Sequence, residues 1–169
     1  MSRTAQKLAE FLVNPGPLHR QAADYAIAYL NGTKYLACAY GPDSGQPSFA
    51  CSSDASFADD TQSRRSTEGY HFLLFGGTID WRYTKQDTVK TSTTEAELYS
   101  LSHAAAQLYW WQRFFSQIKL DLGQEFKLFC DNLQTVRLML KDSPKLVTKL
   151  KHVDIQQHWL RQEVEAKRL

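Results

Sequence analysis

A chain of 169 residues, 43% of them hydrophobic, is long enough for one core and too short to expect two. No run of about eighteen apolar residues is present to span a bilayer, and the N-terminal segment Met1–Phe11 is polar and helix-like, unlike a secretory signal, so a soluble, intracellular protein is expected. A net charge of +2 neither demands nor excludes nucleic acid, whose binding needs a local basic patch rather than a basic average, and three cysteines, odd in number and without paired metal-ligand spacing, argue against a disulfide framework or zinc site.

From Ser2 to about Leu30, apolar residues recur at helical spacing (Leu8, Phe11, Leu12, then Ala22, Ala26, Ile27, Leu30) and are interrupted by Asn14-Pro15-Gly16-Pro17. Two short helices around a tight corner are predicted. Strand patterns follow at Tyr35–Tyr40, Phe49–Asp54, Tyr70–Gly76 and Thr78–Thr84. The last carries Ile79, Trp81 and Tyr83 on one face and Thr78, Asp80, Arg82 and Thr84 on the other, with Gly76-Gly77 as the two-residue hairpin turn before it. Beyond Thr91 the period lengthens, and Leu98, Leu101, Ala105, Leu108, Trp111, Phe115 and Ile118 trace one helical stripe. Ser92 or Thr94 is positioned to cap its start, each with a glutamate three residues on. Phe126–Asp131 reads as a short buried strand, Asn132–Lys141 as a helix and Val153–Ala166 as another. Cys38, Cys51 and Cys130 read as small buried hydrophobes.

This order, a strand meander, a long helix, a strand and further helices, predicts a mixed α/β sheet of the α+β kind with helices packed over it. Asp54 falls at the end of one strand, Glu97 near the start of the long helix and Asp131 at the end of the next strand. If the two strands are neighbours and the helix crosses beside them, three carboxylates converge. Like charges so gathered raise one another's pKa unless a cation sits between them. Hard oxygen ligands that leave room for water and phosphate suit magnesium, and two such ions about 4 Å apart serve phosphodiester hydrolysis. A single strand-end aspartate is more often a cap or loop acid, so the three alone are only suggestive.

Ser53-Asp54-Ala55-Ser56-Phe57-Ala58-Asp59-Asp60 and Arg64-Arg65-Ser66-Thr67-Glu68-Gly69-Tyr70 resemble the opening of the ribonuclease H domain of copia-type retrotransposons. Ile79-Asp80-Trp81, Lys85-Gln86-Asp87-Thr88-Val89, Ser92-Thr93-Thr94-Glu95-Ala96-Glu97-Leu98, Cys130-Asp131-Asn132 and Lys151-His152-Val153-Asp154 follow in the family's order. Upstream, Phe11-Leu12-Val13-Asn14-Pro15, His19 and Tyr29-Leu30-Asn31-Gly32-Thr33 resemble the segment that links reverse transcriptase to this domain. Residues 1–34 are accordingly read as a helical connection segment and residues 35–169 as a domain of ribonuclease H-like fold.

The resemblance implies a metal-dependent endonuclease that hydrolyses the RNA strand of RNA–DNA hybrids, with Asp54, Glu97 and Asp131 as the catalytic, metal-holding acids and magnesium or manganese, two ions with substrate, as cofactor. Glu97 rather than Glu95 matches the helix ligand, Glu95 reads as a capping or solvent-facing acid, and Asp59 and Asp60 as solvated loop acids. Arg64, Arg65, Lys85 and Lys90 are candidates for phosphate contact, and Asn132 for a minor-groove edge or ribose hydroxyl, although each also fits a surface role. Lys141, Lys145, Lys149 and Lys151 form a second basic series that fits a solvated loop and helix end. Tyr109-Trp110-Trp111 and Phe114-Phe115 have the spacing of core and interdomain packing rather than of a stacking surface. Asp154 and His152 are accessory candidates that fit helix capping and structural roles better.

The resemblance further implies a fourth acidic ligand on a terminal helix after a fifth strand, and the chain stops before either. A fragment with weak hydrolysis, or an inactive module that keeps the fold to bind nucleic acid or a protein, is the alternative expectation. Implied partners are the hybrid, the reverse transcriptase domain of the same polyprotein and a second copy through an open sheet edge. The implied location is a cytoplasmic virus-like particle or the nucleus.

Overall fold

A computed structural model of the chain describes residues 1–41, 47–123, 126–140 and 151–168, the last stretch without the side chains of Lys151 and His152. Of the basic series, Lys141, Lys145 and Lys149 lie outside the described residues, as do the side chains of Lys151 and His152. Two compact units, Met1–Ala39 and Tyr40–Leu169, divide the chain. Among the described residues no helix is long and apolar enough to cross a membrane.

The first unit holds α1 (Ser2–Ala9) and α2 (Pro17–Gly32). Pro17 opens α2, where its missing N–H costs nothing, and the Gly16 N–H donates to His19 Nδ1 at 3.0 Å. The His19 ring stacks on Phe11 at 3.8 Å, which fixes the corner between the helices. Neither helix buries a residue.

The second unit runs β1 (Phe49–Ser56), β2 (Thr67–Leu74), β3 (Gly77–Lys85), α3 (Thr93–Gln117), β4 (Leu128–Cys130), α4 (Leu133–Met139) and α5 (Lys151–Glu165). The strands form a mixed sheet in the order β3-β2-β1-β4. β1 pairs antiparallel with β2 and β2 with β3, whereas β4 lies parallel to β1 with Ser53 opposite Cys130. Four strands with helices packed over them match the expected α+β, ribonuclease H-like arrangement.

Three local expectations require correction. The segment Tyr35–Tyr40 is not a strand: Tyr35 and Leu36 are 87% and 77% exposed, and no described strand pairs with it. The side chains of Tyr35 and Leu36 are solvated, and β propensity without packing on a pleated surface is weak. The hairpin turn is Phe75-Gly76 rather than Gly76-Gly77, with φ of 49° and 79° at the two positions, the pattern of a type I′ turn. Gly77 belongs to the strand instead, because the Tyr40 ring lies where its Cβ would be, 2.3 Å away. Tyr40 Oη also donates to the Thr78 carbonyl at 2.7 Å.

The third correction concerns β3. A bulge between Phe72 and Leu73 in the register of β2 makes Ile79 an extra residue, so the alternation slips. Asp80 thus lies opposite buried Phe72 and accepts from α3 through Gln107 Nε2 at 2.9 Å and Trp111 Nε1 at 3.1 Å, while Trp81 is 60% exposed. Simple period-two reading fails wherever one residue is inserted.

The stripe read along α3 serves two cores. Ala104, Leu108 and Phe115 pack on Phe49, Cys51 and Phe72 of the sheet, whereas Leu98, Leu101 and Ala105 meet Met139, Val153 and Leu160 of α4 and α5. Ile118 is left exposed. Trp111 and Phe115 join the sheet-side core, but Trp110 and Phe114 are exposed and stacked on each other at 5.4 Å.

Ser92 caps α3 by accepting from the Glu95 N–H at 3.1 Å, and Glu95 returns by accepting from Thr91 N–H and Oγ1 at 2.7 and 2.8 Å. Glu95 is therefore a capping acid, and a buried one. Ser92→Ala should lower stability by about 1 kcal/mol, measured by urea unfolding at neutral pH.

Candidate metal centre

The site is assembled at one end of the sheet by strand pairing. Because Ser53 pairs with Cys130 in parallel β1 and β4, the following residues come side by side: Asp131 just past the end of β4, and Asp54 still within β1, opposite Gly69 of β2 and two residues before the end where the sequence placed it. Helix α3 is tied across the same place: Ser100 Oγ, 2% exposed, donates to the Asp54 carbonyl at 2.8 Å and approaches the Gly69 carbonyl at 3.3 Å. That anchor sets Glu97, one turn earlier, over the strand ends. Asp54 and Asp131 are exposed, while Glu97 is only 7% exposed.

The electrostatics agree with convergence. Burial pushes the Glu97 carboxyl up to about 7, the charges of Asp54 and Asp131 add to the rise, and a hydrogen bond with the Ala55 backbone opposes it. Among the described residues, Glu97 Oε2 is buried without a hydrogen-bond partner. An orphaned carboxylate oxygen facing other acids is the feature a divalent cation satisfies, and the oxygen donor set fits magnesium or manganese.

Cys130 enters this cluster. Its Sγ lies with one carboxylate oxygen each of Glu97 and Asp131, all within 4.8 Å of one another. Burial pushes the thiol pKa up, a hydrogen bond with the Asn132 backbone lowers it, and the charges of Glu97, Asp131 and Asp54 raise it further. Of the three cysteines expected to be buried, Cys51 is, Cys130 is half-buried beside the acids and Cys38 is exposed. The only sequence signal for Cys130 is its place directly before Asp131, which strand alternation would have turned against.

The basic candidates separate. Arg64 and Arg65 are exposed on the loop joining β1 to β2, with Arg64 at a φ of 54°. Lys85 instead pairs with Asp60 at 2.8 Å. Lys90 is 3% exposed, donates to Thr88 Oγ1 at 2.9 Å and lies 3.6 Å from the centre of the Tyr99 ring, a cation–π contact. Both lysines are engaged inside the protein in this arrangement. Asn132 caps α4, its Oδ1 accepting from the Thr135 N–H at 3.0 Å.

Asp59 and Asp60 are structural rather than solvated. Asp59 accepts from Thr67 Oγ1 at 3.0 Å, and Asp60, 8% exposed, accepts from Lys85 and Ser63, which hold its carboxyl well below the usual carboxylate range. Asp154 is exposed in the first turn of α5, where an acid meets the positive end of the helix. Sequence inspection missed Glu68, buried and bonded to His103 Nδ1 at 2.6 Å and to Gln86 Nε2 at 3.1 Å.

The fold and this end of the sheet define an α+β domain with an acidic cluster at the ends of two parallel strands. No family model matches the chain. It is 31% identical over 96% of its length to the retrovirus-related Pol polyprotein from transposon TNT 1-94 of Nicotiana tabacum, and 28% identical over 98% to that from transposon RE2 of Arabidopsis thaliana. It spans 12% and 11% of those polyproteins. It is also 41% identical to the secreted RxLR effector protein 161 of Plasmopara viticola, over 61% of this chain and 72% of the effector. The chain belongs to the family that these sequences share, and its homology to copia-type retrotransposon Pol polyproteins gives it a retrotransposon origin.

Proposed function

We propose that this segment is the ribonuclease H of a retrotransposon polyprotein, hydrolysing the RNA strand of RNA–DNA hybrids. The observation that carries the reading is the buried Glu97 carboxyl, whose Oε2 has no hydrogen-bond partner among the described residues and whose pKa is raised by burial and then by Asp54 and Asp131 on neighbouring parallel strands. Glu97, Asp54 and Asp131 would hold magnesium or manganese. Such ions, when bound, would supply an activated water and charge stabilisation at the leaving oxygen.

The protein's own contribution is placement. Ser100 fixes α3 against the Asp54 backbone, so that Glu97 keeps its position without a solvent shell. Exposed Asp54 and Asp131 leave the site open to a phosphate from solvent. Arg64 and Arg65 stand on the loop at the same end, suited to neighbouring phosphates of the hybrid. The proposed partners are the hybrid and the reverse transcriptase domain of the same polyprotein, and the proposed place of action is a cytoplasmic particle or the nucleus.

A labelled hybrid incubated with the protein and magnesium or manganese tests this directly. Asp131→Asn should reduce cleavage by more than about 100-fold while leaving the circular dichroism unchanged, since even outer-shell contacts to a metal are worth ~10–100-fold. Unchanged cleavage means that Asp131 is the wrong acid. No cleavage by this chain or by a longer polyprotein segment containing it sinks the enzyme reading.

One observation favours a second reading: the family includes a protein named as a secreted effector. On that reading the fold is kept as a binding module with little or no hydrolysis. Tight hybrid binding without any cleavage is its expected signature.

A further inference from the structure

The acids do not stand alone at this end of the sheet; a thiol stands among them. We propose that Glu97, Cys130 and Asp131 form a site for a thiophilic divalent cation such as zinc, which competes with magnesium for the same carboxylates and so switches the centre off. The inference rests on the reading of the acid cluster as a metal centre and concerns its regulation.

Three observations carry it. First, one potential ligand atom from each residue lies within 4.8 Å of the other two, whereas ligands around a tetrahedral ion with bonds of ~2.0–2.3 Å are ~3.6 Å apart. A closure of about 1 Å, within side-chain rotation, completes three corners. Second, Glu97 is 7% exposed and its Oε2 has no hydrogen-bond partner among the described residues, so the cluster contains a buried acceptor open to a donor or cation. Third, the donor set is mixed. Magnesium has no use for sulfur, while zinc and cadmium take thiolate and carboxylate together, and zinc stands far above the alkaline-earth ions in affinity for such ligands.

Coordination replaces the Sγ–H bond of Cys130 by an Sγ–metal bond, and the proton goes to solvent. With Asp131 drawn inward to the bound ion, one of the two exposed acids is no longer offered to a magnesium ion and its phosphate ligand. The consequence is a centre whose magnesium chemistry depends on how little free zinc surrounds it.

Cadmium chloride is the probe, because a cadmium–thiolate bond has a charge-transfer absorption in the ultraviolet. Titration of the reduced protein should produce a saturable band at one equivalent, displaced by zinc and unaffected by modest magnesium. The band should persist in Cys38→Ser, vanish in Cys130→Ser, and require at least about tenfold more cadmium in Glu97→Gln. Should Cys130→Ser fail to fold, zinc protection of Cys130 against alkylation, mapped by mass spectrometry in the unaltered protein, gives the same answer. No band in the unaltered protein, or a band that survives in folded Cys130→Ser, overturns the proposal. Hybrid cleavage with no band leaves the nuclease reading standing and removes the thiol site. A band with no magnesium-dependent cleavage by this chain or by a longer polyprotein segment containing it keeps the thiol site and removes the nuclease reading.

Discussion

Glu97→Gln is expected to abolish magnesium-dependent hybrid cleavage and, in the same molecule, to make the metal-free protein more stable. The carboxyl's pKa is about 7 in the folded protein against a reference value of 4.5. The folded state therefore binds this proton more tightly than the unfolded chain does. Stability contributed by the protonated group is fully present below pH ~4.5 and is lost as pH rises through ~7. A shift of this size corresponds to at most about 3 kcal/mol above pH ~7, less to the extent that water reaches the exposed Asp54 and Asp131.

Glutamine keeps the shape and removes the charge. At pH 8 without metal the variant should unfold at higher urea than the parent protein, and at pH 4 the two should coincide. Saturating magnesium should reverse the order at pH 8, because only the parent gains binding energy, about 2.7 kcal/mol at a hundredfold excess over Kd. Urea midpoints at the two pH values, with and without magnesium, check all three statements. A variant that is less stable at pH 8 in the absence of metal would mean that Glu97 is not held against like charges.

Phe49→Ala should cost about 3–5 kcal/mol, much of the stability of an ordinary domain. Phe49 is fully buried at the start of β1, and its ring meets Phe72 at 5.6 Å, Phe115 at 5.2 Å, Phe126 at 5.3 Å and Trp111 at 6.4 Å. Alanine leaves a cavity walled by rings from β2, α3 and the segment before β4, which cannot collapse together without moving backbone. The thermal midpoint should fall by about 10 °C, whereas Leu12→Ala, at a position 76% exposed, should leave it unchanged. Calorimetry of the two variants decides, and a small effect at Phe49 would mean that the sheet-side core is not where the stability lies.

Some of this molecule was readable from neighbouring residues alone. The helix of α3 follows from its apolar spacing and from Ser92 with Glu95 at its start, and the bend before α2 from Pro15-Gly16-Pro17. Such features are local: an N-terminal cap or a proline acts within one turn, so the residues that decide it are adjacent in the chain. The hairpin was visible to within one residue, and the slip had a non-local cause, since a ring at Tyr40 occupies the space a side chain at Gly77 would need. Likewise β3 alternated as written until the bulge at Ile79 turned Asp80 toward α3.

What the sequence by itself determined is the identity of the elements other than Tyr35–Tyr40 and the supply of acids at or near their ends. Only the tertiary structure decided that Ser53 pairs with Cys130, that Ser100 pins α3 over Asp54, and therefore that Glu97 is buried among carboxylates with a thiol beside it. It also decided that Lys85 and Lys90 are bound to Asp60 and over Tyr99, although both look like free surface cations along the chain. The physical reason is one of range. Propensities and caps are settled by interactions within a few residues, while burial, pKa and ion pairing depend on which distant segments the sheet register brings into contact.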